Sequence, residues 1–252
     1  MISETTNYAR LHKNLELLKM KQMASSLPDI LREGEESHLS TIEILLRLTD
    51  QEVEVGKRNR SETMIKMANF PHRKTLEDFD FSFQPKINEK QIRNLQELGF
   101  IDRQENIVFM GNSGVGKTHL AVSLGITAAY NRINTYFIKF HDLINTLRKA
   151  QMEHRLMARL RHLGKYKLLI IDELGYLPME EGDANLLFQL IDIRYESKST
   201  IITTNANFDE WPNILKEEQV TSAIIDRILH HCTGINISGN SYRLKEYLPT
   251  EE

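Results

Sequence analysis

Cysteine is nearly absent: Cys232 is the single one in 252 residues. No disulfide can form within the chain, which fits a reducing compartment. That thiol follows His230 and His231 with no strand–turn context around it, so it reads as a buried side chain rather than a nucleophile. No apolar run approaches the length of a membrane span. The opening residues, Met1-Ile2-Ser3-Glu4-Thr5-Thr6, lack the basic segment and apolar stretch of a secretory signal. These absences predict a soluble, cytoplasmic protein with no membrane partner. A dominant charge is missing too. The formal net charge is −3, which argues neither for nor against nucleic acid, so any basic surface must be local. There is no internal repeat and no low-complexity segment. What remains, 40 % hydrophobic and 27 % charged residues, is ordinary for a soluble globular chain of one or two domains.

Residues 1–70 show no strand alternation. Leu11, Leu15, Leu17, Leu18 and Met23 recur at helical spacing. Ser40-Thr41-Ile42-Glu43 spells a capping box, followed by apolar Ile42, Leu45, Leu46 and Val53. Gly56 is expected to interrupt this pattern before Met64, Ile65 and Ala68 resume it. A small all-helical domain is predicted. Pro71 ends it, because the residue before proline avoids the helical well. Residues 71–100 read as a linker. Phe79, Phe81 and Phe83 sit there between acidic residues and should dock on something, and a short helix is expected over Glu89 to Leu98. From there the texture changes. Short apolar runs at Ile107–Met110, Thr135–Ile138, Leu168–Ile171, Thr200–Thr203 and, more weakly, Ile235–Ile237 alternate with helical stretches. That alternation predicts an α/β domain over residues 101–252, with a parallel five-stranded sheet flanked by helices.

The first of these strands leads into Gly111-Asn112-Ser113-Gly114-Val115-Gly116-Lys117-Thr118, which matches G-x-x-x-x-G-K-S/T, and a helical pattern follows it. Glycines let the backbone wrap so that its N–H groups converge on phosphate oxygens. The helix presents its positive end to the same anion. Lys117 then suits the β/γ-phosphates, and the Thr118 hydroxyl suits Mg²⁺. The run Leu168–Ile171 ends in Asp172-Glu173, at the sheet edge where α/β folds bind ligands. Asp172 suits the outer shell of the Mg²⁺ ion and Glu173 the polarising of an attacking water. The next strand ends in Asn205, which could orient that water or sense the γ-phosphate. A strand-ending asparagine is also common in plain turns.

These residues carry a resemblance. The cradle, the acidic pair and Asn205 are similar to the additional-strand branch of P-loop ATPases, and within it to the AAA+ group. More narrowly, Gly116-Lys117-Thr118-His119-Leu120-Ala121 and Ile171-Asp172-Glu173-Leu174-Gly175-Tyr176-Leu177-Pro178 resemble the IstB/DnaC group. Asp226-Arg227-Ile228-Leu229-His230-His231 and Gly239-Asn240-Ser241-Tyr242-Arg243-Leu244 are more IstB-like than DnaC-like, and Thr75 to Phe81 resembles the IstB linker. The resemblance implies ATP and Mg²⁺ as cofactors, with residues Gly111 to Thr118 and His119 around the nucleotide. It implies a catalytic set of Glu173, Asn205, Arg227 and Arg243, in which Arg227 resembles an arginine finger acting on a neighbouring subunit and Arg243 a second sensor. It also implies a homo-oligomer formed with ATP and double-stranded DNA, and the transposase of the same insertion element as partner. The usual AAA+ helical lid is expected to be missing.

A basic stretch, with Arg148, Lys149, Arg155, Arg159 and Arg161, lies between the second and third strands. Helical spacing predicts that Arg148, Arg155 and Arg159 share a face, at the position where initiator-type AAA+ proteins touch DNA. Such contacts bind phosphate without reading sequence, and a solvated helix face is the plain alternative. Lys57, Arg58 and Arg60 form a second, more ambiguous patch. A helicase loader of the DnaC type shares every ATP-site residue and remains open. A small-molecule P-loop kinase is the weakest alternative, because neither an arginine-rich lid nor an acceptor pocket is evident.

Overall fold

The computed structural model describes residues 2–176 and 179–247, so Leu177 and Pro178 of the family-like block lie outside the described residues. The chain divides into two compact units, residues 1–63 and 64–252. The first contains α1 (Ile2–Leu17), α2 (Lys21–Glu36) and most of α3 (Thr41–Met67). The capping box is present: the Ser40 N–H donates to Glu43 Oε2 at 2.8 Å and the Glu43 N–H to Ser40 Oγ at 3.3 Å. Leu15, Met23, Ala24, Leu27, Ile30 and Leu48 form the core. The structure corrects one expectation here. Gly56 does not interrupt α3: one glycine costs only about 1 kcal/mol in a helix, and the helix runs unbroken from Thr41 to Met67. The apolar positions that follow the capping box, Ile42, Leu45, Leu46 and Val53, are exposed.

The second unit opens with a connector without long helices, then α4 (Glu89–Gln96) and the short α5 (Gly99–Asp102). The α/β part follows as β1 (Asn106–Gly111), α6 (Lys117–Tyr130), β2 (Thr135–Lys139), α7 (Phe140–Met152), α8 (Leu156–Gly164), β3 (Leu168–Leu174), α9 (Asp183–Arg194), β4 (Ser199–Thr204), α10 (Trp211–Leu215), α11 (Glu218–Leu229) and β5 (Cys232–Ile237). The strands form one parallel sheet in the order β2-β3-β4-β1-β5. β4 is thus inserted between β1 and β3, as the additional-strand resemblance implies. Alternate residues of the same strand enter opposite cores. Ile107, Phe109, Leu168 and Ile170 pack with α6, α4 and the connector on one face. Val108, Leu169, Ile171 and Ile202 pack with α7 to α11 on the other. Burial on both faces is why these strands read as continuous apolar runs. The loops after β1, β3 and β4 leave the sheet at its carboxyl ends, where parallel α/β sheets bind ligands.

Cys232 starts β5 rather than lying outside a strand. Burial pushes its thiol up to about 11, so it is protonated at neutral pH and a poor nucleophile.

Candidate nucleotide site

The loop after β1 turns on three glycines in the left-handed region: Gly111 (φ 138°), Gly114 (81°) and Gly116 (102°). Each also sits against a neighbour that leaves no room for a Cβ. One on Gly111 would stand 2.1 Å from the Ile237 carbonyl oxygen, and one on Gly116 would stand 2.5 Å from the Phe79 ring. The loop delivers Lys117 and Thr118 at the first turn of α6, where the free N–H groups and the dipole favour an anion. The Lys117 ammonium is nearly buried and donates to Gly111 O, Asn112 O and Asn205 Oδ1, each at 2.7 Å. All three partners are neutral. Burial therefore draws the lysine down to about 8, against a smaller opposing pull from Asp172. A buried cation held by neutral oxygens fits a bound polyphosphate.

Opposite it, the Asp172 carboxylate accepts from the hydroxyls of Thr118 (2.8 Å) and Thr203 (2.6 Å) at one oxygen, Oδ1. Burial raises its proton affinity, which the two hydroxyls partly offset. A hydroxyl and a carboxylate in contact are hard oxygen donors, a set that could hold Mg²⁺. The register between β3 and β4 shifts between Ile171 and Leu174. In that irregularity Glu173 takes φ 62°, anchored by its own N–H donating to Thr203 Oγ1 at 3.0 Å. The bulge re-aims Glu173 out of the strand's alternation, and its carboxylate meets Lys139 Nζ at 2.9 Å. That carboxylate raises the lysine's proton affinity.

These side chains line one cavity of about 440 Å³, together with Arg243, Tyr242, Tyr176 and the connector residues His72, Phe79 and Gln84. His119 follows Thr118 and points back to the connector, its Nε2 lying 2.7 Å from Thr75 O and its ring 5.2 Å from that of Phe79. The connector aromatics thus dock beside the phosphate loop.

The sequence profile of the IstB-like ATP binding protein family matches residues 13–249. The chain belongs to this family. A relative from Bacillus thuringiensis subsp. berliner, named for insertion sequence IS232 and for ATP binding, is 52 % identical over 97 % of this chain and 98 % of its own length. One from Geobacillus stearothermophilus, named for IS5376, is 43 % identical over 96 % of this chain and 97 % of its own. One from Pseudomonas aeruginosa, named for IS21, is 41 % identical over 92 % and 88 %. Among solved structures, the DnaC helicase loader aligns at TM-score 0.51 and 26 % identity, over 69 % of this chain and 98 % of that one. The initiator DnaA bound to AMPPCP and single-stranded DNA aligns at TM-score 0.56 and 17 % identity, over 73 % and 58 %. The latter shows the fold alone. This is an insertion-sequence IstB-like, ATP-binding protein with the AAA+ fold, related to helicase loaders. No described helix is long and apolar enough to cross a membrane.

Lys117, Thr118, Asp172, Glu173, Asn205, His119 and Arg243 thus converge on one cavity with the cradle residues Ser113 to Gly116. Arg227 does not line it. Its guanidinium pairs with Asp192 at 3.1 Å and lies 4.7 Å from the centre of the Phe188 ring, both on α9. The basic stretch differs from its expected geometry. His154 takes φ 55° and ends α7, leaving Arg155 between two helices. Arg148, Arg155 and Arg159 therefore share no single helical face. Arg148 is bound bidentately by the buried Asp183 and also by Glu180. Lys149, Arg155 and Arg161 are exposed, and Arg159 is half-buried. Arg155 pairs with Glu153.

Three site residues escaped sequence reasoning. Lys139 and Asp172 are register partners at the ends of β2 and β3, so pairing the expected strands would have brought that lysine to the site. Thr203 was visible one strand over from the acidic pair, but its bond to Asp172 depends on the inserted position of β4. Gln84 had no sequence signal.

Proposed function

We propose that this IstB-like protein is a Mg²⁺-dependent ATPase that captures double-stranded target DNA and delivers it to the transposase of its own insertion element. The reading rests above all on one arrangement: a buried lysine, a hydroxyl–carboxylate pair and a strand-end glutamate around a single cavity. Lys117 holds the β- and γ-phosphates, and the loop N–H groups and α6 terminus neutralise the rest. Thr118 and Asp172 hold the cation. Bound Mg²⁺ supplies charge neutralisation at the phosphates as the bond to the γ-phosphoryl breaks. Glu173 takes the proton of the attacking water. Asn205 orients that water or the γ-phosphate, and Arg243 adds positive charge in the same subunit. Arg227 acts on the site of a neighbouring copy in a homo-oligomer that forms with ATP and DNA. Lys149, Arg155, Arg159 and Arg161 bind DNA phosphates, and Arg148 braces α7 against Asp183. The helical domain of residues 1–70 contacts the transposase or the DNA, with residues 71–100 as linker and residues 101–252 as the ATPase domain. The protein works in the cytoplasm. A helicase-loading role is the second reading, favoured by the likeness to the DnaC loader.

The decisive variant is Glu173→Gln. It is expected to bind ATP with the parent's affinity and hydrolyse it at least about 100-fold more slowly, since a positioned base contributes that much. Turnover at the parent's rate would remove Glu173 from the base role. Transposase stimulation, against stimulation of a replicative helicase, separates the two partner readings.

A further inference from the structure

One side chain in the cavity has no role in phosphate binding. Gln84 lies at the end of the connector, only 2 % exposed, and lines the same cavity as Lys117. Around it the connector and the C-terminal segment clamp together. Phe83 packs edge-on against Tyr242 at 5.2 Å, Lys245 pairs with Asp80 at 2.7 Å, and the Tyr242 N–H donates to Gly114 O at 2.9 Å. This wall of the cavity is therefore tied directly to the phosphate loop. The Gln84 Nε2 donates to Asn240 O at 2.8 Å. That bond fixes the amide's orientation, because a flip would set two carbonyl oxygens against each other. Its Oε1 is then left buried with no partner among the described residues. Gly239 closes on it: a Cβ there would stand 2.2 Å from Oε1.

A buried acceptor with no donor is unfavourable, and each such group in a folded protein calls for a reason. In a cavity built for a nucleotide, the missing donor belongs to the ligand. We propose that Gln84 selects the base of the bound nucleotide, its Oε1 accepting a hydrogen bond from the exocyclic 6-amino group of adenine. A 6-oxo purine would place an oxygen against that acceptor and leave both unsatisfied. Polar sites reject such analogues far more strongly than apolar pockets do. The inference rests on the reading of this cavity as an ATP site.

The test alters the ligand before the protein. The full chain is titrated with ATP, with purine riboside triphosphate, which lacks the 6-amino group, and with inosine triphosphate, which carries a 6-oxo group. Each competes against a fluorescent ATP analogue. The parent is expected to bind the desamino analogue roughly tenfold more weakly than ATP, the worth of one hydrogen bond, and the 6-oxo analogue more weakly still. Gln84→Leu should bind ATP and the desamino analogue equally. Equal binding of ATP and the desamino analogue by the parent, with Lys117→Ala losing both, would overturn the role of Gln84 while the ATP site stands. A parent that binds none of the three nucleotides would overturn the ATP site itself, and this inference with it.

Discussion

At the scale of single residues, the site is governed by a buried cation, Lys117, and a part-exposed carboxylate, Glu173, with different needs. Lys117 loses hydration and gains only neutral partners, so its proton is held weakly, down to about 8. A triphosphate at the cradle supplies the missing counter-charge and pulls the proton back on. Binding above that pH therefore takes up a proton. ATP affinity is expected to be flat from pH 7 to about 8, then to fall by up to about tenfold per unit as pH rises. Equilibrium titrations between pH 7 and 9.5 check this, and a flat profile throughout would mean that Lys117 stays charged without ligand. Glu173 has a different constraint. One carboxylate oxygen, Oε2, is held by Lys139, which competes with the attacking water for that oxygen. Lys139→Met should release it and raise ATP turnover without DNA several-fold, read by steady-state phosphate release. A drop in turnover instead would make Lys139 a group that positions the base.

At the scale of elements, α7 and α8 separate structural cations from free ones. Arg148 is held by Asp183, whose carboxylate is buried, and also by Glu180. Arg148→Glu would set three carboxylates together and is expected to cost at least about 2 kcal/mol, seen as a lower Tm. Lys149→Glu with Arg161→Glu should leave Tm unchanged, weaken DNA binding at least about tenfold and flatten its dependence on salt. Unchanged DNA affinity in that double variant would make the stretch a solvated face. The same helices show what was legible in the sequence. The inner strands β1, β3 and β4 were readable because burial on both faces writes an apolar run, whereas β5, at the sheet edge and buried on alternate residues, left a weaker signal. The cradle and acidic pair were readable because their chemistry is packed into consecutive residues. The break at His154 was not, because a left-handed residue other than glycine leaves no compositional mark. Nor was the surface position of Ile42, Leu45, Leu46 and Val53, since apolar spacing marks a helical stripe without saying what covers it. Lys139, Thr203 and Gln84 join the site only through the strand order and the clamp at the C-terminal segment.

At the scale of the whole molecule, the proposed homo-oligomer makes one subunit's chemistry depend on another's. The groups proposed to hold the nucleotide, from Ser113 to Thr118 with Asp172, line one cavity of one chain, whereas Arg227 stands apart on α11, stacked on Phe188 and paired with Asp192. A cation outside its own site that serves hydrolysis must serve it in a neighbour. Arginine fingers contribute about 10³-fold or more to turnover. Arg227→Ala should therefore bind ATP like the parent and hydrolyse it at least about 100-fold more slowly. Lys117→Ala subunits are inactive for the opposite reason: they keep the finger but lack the cradle. In a mixture, some interfaces join an intact cradle to an intact finger. ATPase rate, measured with DNA present against the mixing ratio, should rise from near zero at both ends to a maximum between them. If mixed oligomers are shown to form and the rate stays at zero across all ratios, Arg227 does not act across the interface, and the site is completed within a single chain.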